Sequence, residues 1–256
     1  MGKAIANQIV QSDIEATINK KRAREIMGEN FFGVEDWSKF YGVDFSKKQL
    51  REVIEFPWGE DILNAPCPFV KGKGIRETHF AFLGLKAIGS KPLTITRWEK
   101  LHPSPGQPRF RCYYPGNWFE KKKFANEPTC GFRWYLMLLE IVPNSTHKPY
   151  KEQVAMLPAE YEVPFAIEEV SKNFLLYYKQ NFVYLHPLGW GRCQDVAWVG
   201  HRVHINRSVN HYSIPGGLAS IGLGVGCGLS SDLGWEIGLA ASRKSPYGAK
   251  LTIGQV

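Results

Sequence analysis

The order of the predicted elements places this chain in the α+β class. From Asn64 onward the residue patterns indicate a strand, a helix, a second strand and a second helix, followed by short strands and loops. A doubly wound parallel sheet would instead keep alternating strands and helices to its end. The chain has 256 residues, 44% of them hydrophobic and 13% aromatic, which is enough to bury a full core and excludes a largely disordered protein.

Residues 1–63 are predicted to form a helical segment that precedes the main domain. A capping box that begins at Ser12 is followed by apolar residues at helical spacing as far as Gly28. A second helix is predicted from Ser46 and must end before Pro57. We expect this appendage to pack against the domain or to mediate assembly.

The domain predicted over residues 64–256 opens with two strands and two helices. The apolar run 79–85 is typical of a buried strand, and residues 92–101 are predicted to form a short helix. Residues 130–142 are predicted to be a long central strand, with a buried helix as the alternative. Apolar residues at three- and four-residue steps predict the main amphipathic helix over residues 158–180.

The stretch 191–244 alternates aliphatic residues with polar residues and glycines. Such a pattern predicts buried positions that hold a fixed backbone, separated by positions whose side chains are free to vary. Eight glycines lie between Gly216 and Gly238, and the alternative is a glycine-rich loop with no binding role. The predicted scaffold, including a hydrogen-bonded polar group at its start, is Arg192, Gln194, Asp195, Val203, Ile205, Leu223, Val225 and Leu239.

Five short motifs in fixed order carry a resemblance to a known family. The pieces are CPFVKGKGIRETHFAFLGL, YEVPFAIEEVSKNFLLYY, RCQDV, GLGV and GLAASRK, and together they cover roughly residues 64–244. In these pieces the chain resembles the variable proteins of archaeal diversity-generating retroelements. The resemblance implies a C-type-lectin-like fold with two helices, an antiparallel sheet and a loop-rich C-terminal β section whose short strands begin near Tyr184. It also implies a non-enzymatic ligand-binding role.

The resemblance further implies that adenine-specific mutagenesis from a template copy rewrites the region of about residues 191–238. Mutating the adenines of an Asn codon yields residues such as Ser, Gly, Tyr, His, Arg, Asp and Cys, and the positions between the aliphatic ones are drawn largely from that set. Trp198 and Trp235 are predicted to be aromatic anchors for a partner. The predicted ligand-binding residues are Trp198, His201, His204, Asn206, Arg207, Ser208, Asn210, His211, Tyr212, Gly224, Gly226, Cys227, Leu229, Ser230 and Trp235.

The net charge of +8 raises nucleic acid as an alternative partner. Residues 56–125 carry twelve basic and five acidic side chains, so the excess is concentrated there and not in the stretch 191–244. A basic nucleic-acid-binding module centred on residues 71–123 is therefore the competing hypothesis. No nucleic-acid-binding motif accompanies these residues, and a solvated basic face explains them equally well.

The sequence gives little support to an enzyme or a metal site. It contains no GxSxG, P-loop, HExxH or dinucleotide fingerprint, and its five cysteines include no CxxC pair. The histidines His201 and His204 do not combine with carboxylates at a recognised ligand spacing, so no metal and no cofactor are expected. A formylglycine-generating-type oxidase on the same fold is the enzymatic alternative, but it needs a close cysteine pair, and Cys193 and Cys227 are 34 positions apart.

The chain has no run of about 18 apolar residues and no signal-peptide core near its first residue. We therefore expect no membrane insertion and, from the sequence, a cytoplasmic location. The resemblance suggests display at the cell surface instead. The expected partner is an unidentified ligand, a protein or a cell-surface molecule, with nucleic acid disfavoured.

Overall fold

The computed structural model describes residues 18–103, 108–110, 118–179, 189–208, 222–229, 231 and 237–246. The helices are α1 Lys20–Met27, α2 Val34–Tyr41, α3 Lys47–Glu52, α4 Glu60–Asn64, α5 Ile75–Thr78, α6 Ile95–Leu101, α7 Lys123–Asn126, α8 Tyr150–Ala155 and α9 Ala166–Lys179. The strands are β1 Ile18–Asn19, β2 Phe31–Phe32, β3 Glu55–Phe56, β4 His79–Leu83, β5 Ala87–Ile88, β6 Lys91–Pro92, β7 Trp134–Leu138, β8 Tyr161–Glu162, β9 Trp190–Trp198, β10 His201–Ser208, β11 Gly222–Leu229, β12 Ile237–Leu239 and β13 Ser242–Arg243.

The first large sheet has five strands in the order β2-β4-β7-β13-β8. Its centre is the antiparallel pair β4 and β7, in which every residue is buried. These two strands fall within the apolar runs 79–85 and 130–142, so the strand prediction for both runs is confirmed. Continuous burial explains the lack of alternation, because a strand covered on both faces needs apolar residues at every position.

The second large sheet has four strands in the order β11-β10-β9-β12. The pairs β11–β10 and β10–β9 are antiparallel, whereas β12 runs parallel to β9. Irregular register between β9 and β10 marks two bulges in this ladder. The prediction of a β-rich section at the end of the chain is confirmed, and the class of the fold is α+β.

Helix α9 lies between the two sheets and is the central element of the core. It packs against β2 and β4 on one side and against β9 and β10 on the other, and all residues from Ala166 to Tyr177 are buried. Its buried lysine is paired: the Lys172 ammonium lies 2.7 Å from the Glu169 carboxylate and donates to the Leu138 carbonyl at 2.8 Å. Pairing of this kind is what allows charged residues to lie inside a core.

Helix α9 begins later than the sequence predicts. The expected start at Pro158 is wrong, because residues Tyr161–Glu162 form β8 and pair with β13. The helix starts only at Ala166, whose backbone N–H donates to the Asp195 carboxylate at 2.5 Å. Proline at position 164 favours an extended residue before it, which delays the helix.

The predicted first helix is also shorter than expected. Ile18–Asn19 is a strand paired with β3, and helix α1 begins after Asn19, whose side chain caps it by accepting from the Lys21 N–H. The predicted capping residue Ser12 lies outside the described residues. The prediction of a helix from Ser46 is confirmed by α3, which Ser46 caps with a capping box.

The predicted helix over residues 92–101 is confirmed in part. Lys91–Pro92 pairs as β6 with β5, and helix α6 starts at Ile95 after its cap residue Thr94. Within this helix Trp98 is fully buried. It belongs to the aromatic core that surrounds α9.

The described part of residues 1–63 is continuous with the core of the rest of the chain. Strand β2 is the parallel edge partner of β4, and its two phenylalanines are buried. Trp37 donates its indole N–H to the Leu83 carbonyl at 2.8 Å, and Trp58 is fully buried. This region therefore contributes to the main core instead of forming an independently packed helical unit.

Across the described residues, no helix combines the length and the apolar character needed to cross a membrane.

Candidate functional site

The aliphatic residues of the C-terminal sheet form the inner layer of the candidate site. Val203, Ile205, Leu223, Val225 and Leu239 are 0–2% exposed. Val203 lies opposite Cys227 and Ile205 opposite Val225, so these positions share the face of the sheet that is turned toward α9. The five aliphatic positions of the predicted scaffold are therefore buried.

The polar scaffold residues hold the first strand of this sheet to three different elements. Fully buried Arg192 donates to the Gln153 side chain at 3.1 Å, and Gln194 donates to the Val163 carbonyl at 3.1 Å. Asp195 accepts from the first N–H of α9, where a carboxylate also favours the positive end of the helix dipole. Burial raises the pKa of Asp195. These bonds hold β9 to its surroundings.

His204 is a packing residue and not an exposed ligand contact. It is 7% exposed, and its ring lies edge-on to Trp190 with the centroids 4.7 Å apart. It faces Gly226 across the β10–β11 ladder, where a Cβ would overlap the imidazole. Burial, with the nearby Arg192 guanidinium acting in the same direction, lowers the pKa of His204 to about 4, so the ring is neutral at pH 7. His204, which the sequence predicts as a ligand-binding residue, therefore lies at a largely buried position.

The opposite end of the same sheet exposes apolar side chains. Strands β9 and β10 are joined by the two residues Val199 and Gly200, and Gly200 takes the left-handed φ of 77° that this turn requires. Val199 is 97% exposed at the tip of this hairpin. Trp198 is 44% and Leu229 is 48% exposed. We call Trp198, Val199 and Leu229 the hairpin patch.

Two residues far away in the sequence hold the hairpin patch in place. The Trp118 ring stacks on Trp198 with the centroids 5.0 Å apart, and its indole N–H donates to the Val225 carbonyl at 2.8 Å. The Lys122 ammonium lies 4.1 Å from the centre of the Trp198 ring, which is a cation–π contact. Lys122 belongs to the basic segment 71–123 that the sequence indicates as a nucleic-acid alternative, and Trp118 was not predicted as a site residue. No local pattern shows that either residue meets Trp198.

The predicted ligand-binding residues whose side chains the structure describes are divided between the two faces of the sheet. By the β10–β11 register, Asn206 and Gly224 share one face with His204 and Gly226. His201, Cys227 and Leu229 lie on the other face, and His201 also contacts the ring of Trp198. The backbones of Arg207 and Ser208 belong to β10. Asn210, His211, Tyr212, Ser230 and Trp235 lie outside the described residues.

The cysteines of this sheet do not form the close pair that an oxidase would need. Cys193 lies on β9 and Cys227 on β11, with β10 between them, so two strand spacings of about 4.8 Å each separate their strands. That separation exceeds the Cα distance that a disulfide can bridge. Both are free thiols, and burial raises the pKa of each. The Cys193–Cys227 pair therefore gives no support to the oxidase alternative.

A search of the described residues for three or more His, Cys, Asp or Glu side chains placed to hold a metal ion finds no such group. A shallow cleft of about 380 Å³ lies beside β8, lined mainly by Tyr150, Leu157, Pro158, Tyr161, Glu162 and Val163. None of the predicted ligand-binding residues lines this cleft.

The basic residues of the segment 71–123 belong to separate elements. Arg76 on α5 donates to Asn64 at 3.2 Å, and Lys91 lies on β6. Lys123 is 3.5 Å from Glu127 within its own turn. Within this segment, Lys122 contacts the hairpin patch through the Trp198 ring.

Comparisons of the chain with protein-family models, with curated proteins and with solved structures give no match. The function must therefore be inferred from the residues of the site and from their geometry.

Proposed function

We propose that this chain is a non-enzymatic ligand-binding protein that displays a diversified surface, the role implied by its resemblance to the variable proteins of diversity-generating retroelements. We also propose that its α+β architecture is of the C-type lectin kind. The order of elements supports this second proposal, since the two central strands and α9 come first and a β-rich section follows. The ligand is proposed to be a protein or a cell-surface molecule.

The observation that carries the proposal is the concentration of exposed apolar side chains at one end of the C-terminal sheet. Among the described residues eight large hydrophobic side chains are exposed, and four of them are Val196, Trp198, Val199 and Leu229. Exposed apolar groups that cluster in this way mark interaction sites, whereas isolated ones are ordinary.

The same strands provide a constant frame for that surface. Val203 and Leu223 are buried within a few positions of the exposed residues. Strands β10 and β11 therefore each combine buried residues that pack in the core with an end that is exposed to solvent. Substitutions at the free end leave the packing against α9 intact. A protein whose surface is rewritten needs this separation, because most substitutions in a packed core destabilise.

The test is to sequence the 3′ end of the gene and the DNA beyond it in many clones of the source cells. We expect a near-repeat of this region that differs at template adenines, beside a reverse transcriptase gene. We also expect codon changes at Trp198, His201 and Leu229, with Val203 and Val225 constant. A complete locus that lacks both the repeat and the reverse transcriptase would contradict the proposal, as would changes spread equally over the buried positions.

A further inference from the structure

A fixed cation lies beside the hairpin patch. The Lys122 ammonium is held over the Trp198 ring, and among the described residues no carboxylate lies within salt-bridge distance of it. Its neighbour Lys121 is exposed. The positive charge at this edge of the patch is therefore available to a partner.

The residues that support the patch, Trp118 and Lys122, lie outside the region 191–238. Trp118 is fixed to the sheet by its hydrogen bond to Val225, and it packs against the rings of Phe119 and Phe124 at 6.1 and 5.7 Å. Phe119 and Phe124 are buried. Trp118 and Lys122 would therefore stay constant while the residues displayed on the hairpin change.

We propose that the hairpin patch binds an acidic–apolar segment of a protein partner, in which an apolar side chain packs on Trp198, Val199 and Leu229 and a neighbouring carboxylate pairs with Lys122. This inference rests on the proposed function and names the chemistry of its partner. Exposed aliphatic and aromatic groups supply the apolar contact, and the Lys122 ammonium, which pairs with no carboxylate of the described residues, supplies charge complementarity at the rim.

A single-stranded nucleic acid fits the patch less well. Nucleobases bind such surfaces by stacking on aromatic rings. The Trp198 ring already has Trp118 stacked on it and Lys122 above it, so a base would have to displace one of them. Val199 and Leu229 offer aliphatic groups, which favour an apolar side chain over a base.

The experiment is a selection of random 12-residue peptides displayed on phage, with the immobilised full chain as the target. We expect enrichment of peptides in which Asp or Glu neighbours Leu, Ile, Phe or Met. Binding of a synthesised selected peptide should weaken about tenfold in Lys122→Glu, as expected for reversal of a rim charge. The matched control Lys48→Glu makes the same charge change on α3 and should leave binding unchanged.

The inference is overturned if the selection enriches no peptides or enriches neutral or basic ones, or if Lys122→Glu binds the selected peptide as tightly as the parent chain. It is also overturned if a 12-nucleotide oligo-dT binds the parent chain and loses affinity in Lys122→Glu. Selected peptides that depend on Asn206 and not on Lys122 would refute the inference and leave the proposed function standing. A locus without a template repeat would instead refute the proposed function alone.

Discussion

The core and the hairpin patch each contain a tryptophan, and the two residues have different environments. Trp98 is fully buried, lies parallel to Phe174 at 5.2 Å and donates its indole N–H to Ser171 at 3.0 Å. Trp198 is 44% exposed and rests on Trp118. The first locks α6 to α9 within the core, whereas the second is presented to solvent. Burial, and not residue type, separates the frame of this protein from its surface.

Two lysines show the same difference between the core and the hairpin patch. In the core the Lys172 ammonium is neutralised by Glu169 and bonded to a backbone carbonyl. At the hairpin patch the Lys122 ammonium meets an aromatic ring and no carboxylate of the described residues. In the core, the partner of a buried charge offsets the cost of removing that charge from water. At the hairpin patch, the Lys122 charge can pair with a carboxylate of a binding partner.

The largest effect is expected from the matched pair Trp98→Ala and Trp198→Ala. Removing the buried ring leaves a cavity beside α9 and should lower the free energy of unfolding by about 3–5 kcal/mol. Removing the exposed ring loses its contacts with Trp118, Lys122 and His201 and should cost about 1 kcal/mol or less. Urea unfolding followed by circular dichroism measures both. Equal losses would contradict the division between frame and surface.

The next effect concerns Glu168, whose carboxylate lies inside the core. Burial raises its pKa to about 7, although it accepts from the Phe165 N–H at 2.9 Å. Because the folded pKa exceeds the unfolded one of about 4.5, this group makes the protein less stable as pH rises from about 4.5 to 7, by about 3 kcal/mol in total. Glu168→Gln keeps the acceptor and should remove that loss.

Three buried histidines impose the opposite slope on the acid side. Burial lowers the pKa of His79 to about 3 and of His102 and His204 to about 4, so each reduces stability as pH falls below about 6.5. These histidines are present in both the parent chain and Glu168→Gln, so their effect cancels when the two are compared. The test for Glu168 is therefore the difference in unfolding free energy between the two proteins, measured from pH 4.5 to 8. A difference that does not change with pH would contradict the assignment.

A smaller effect is expected at the contact between His204 and Gly226. Gly226→Ala places a methyl group against the imidazole and should cost about 1–3 kcal/mol through overpacking. The double variant with His204→Ala should recover most of this loss, because the second change removes the obstructing ring. Gly131→Ala is the control, since its Cβ would meet nothing closer than 3.4 Å. Additive losses in the double variant would contradict the contact.

The buried strands could be predicted from the sequence, because their burial shows in the local pattern of apolar residues. The apolar runs of β4 and β7 and the alternation that buries Val203 and Val225 are visible in the sequence. The burial of His204 could not be predicted, since it depends on Gly226 on another strand. The position of Trp118 under Trp198 likewise results from tertiary packing between distant segments. The start of α9 was misplaced because the sequence does not show that Tyr161–Glu162 pairs with β13.

The central claim is that β9–β11 carry a fixed frame and a freely substitutable end, and saturation substitution tests it most directly. Every residue type would be introduced singly at Trp198, Val199, Leu229, Val203 and Val225, and protease resistance of the full chain would be measured for each variant. We expect most substitutions to be tolerated at the exposed positions Trp198, Val199 and Leu229. At the buried positions Val203 and Val225 we expect only aliphatic residues to be tolerated. Equal tolerance at the two sets of positions would contradict it.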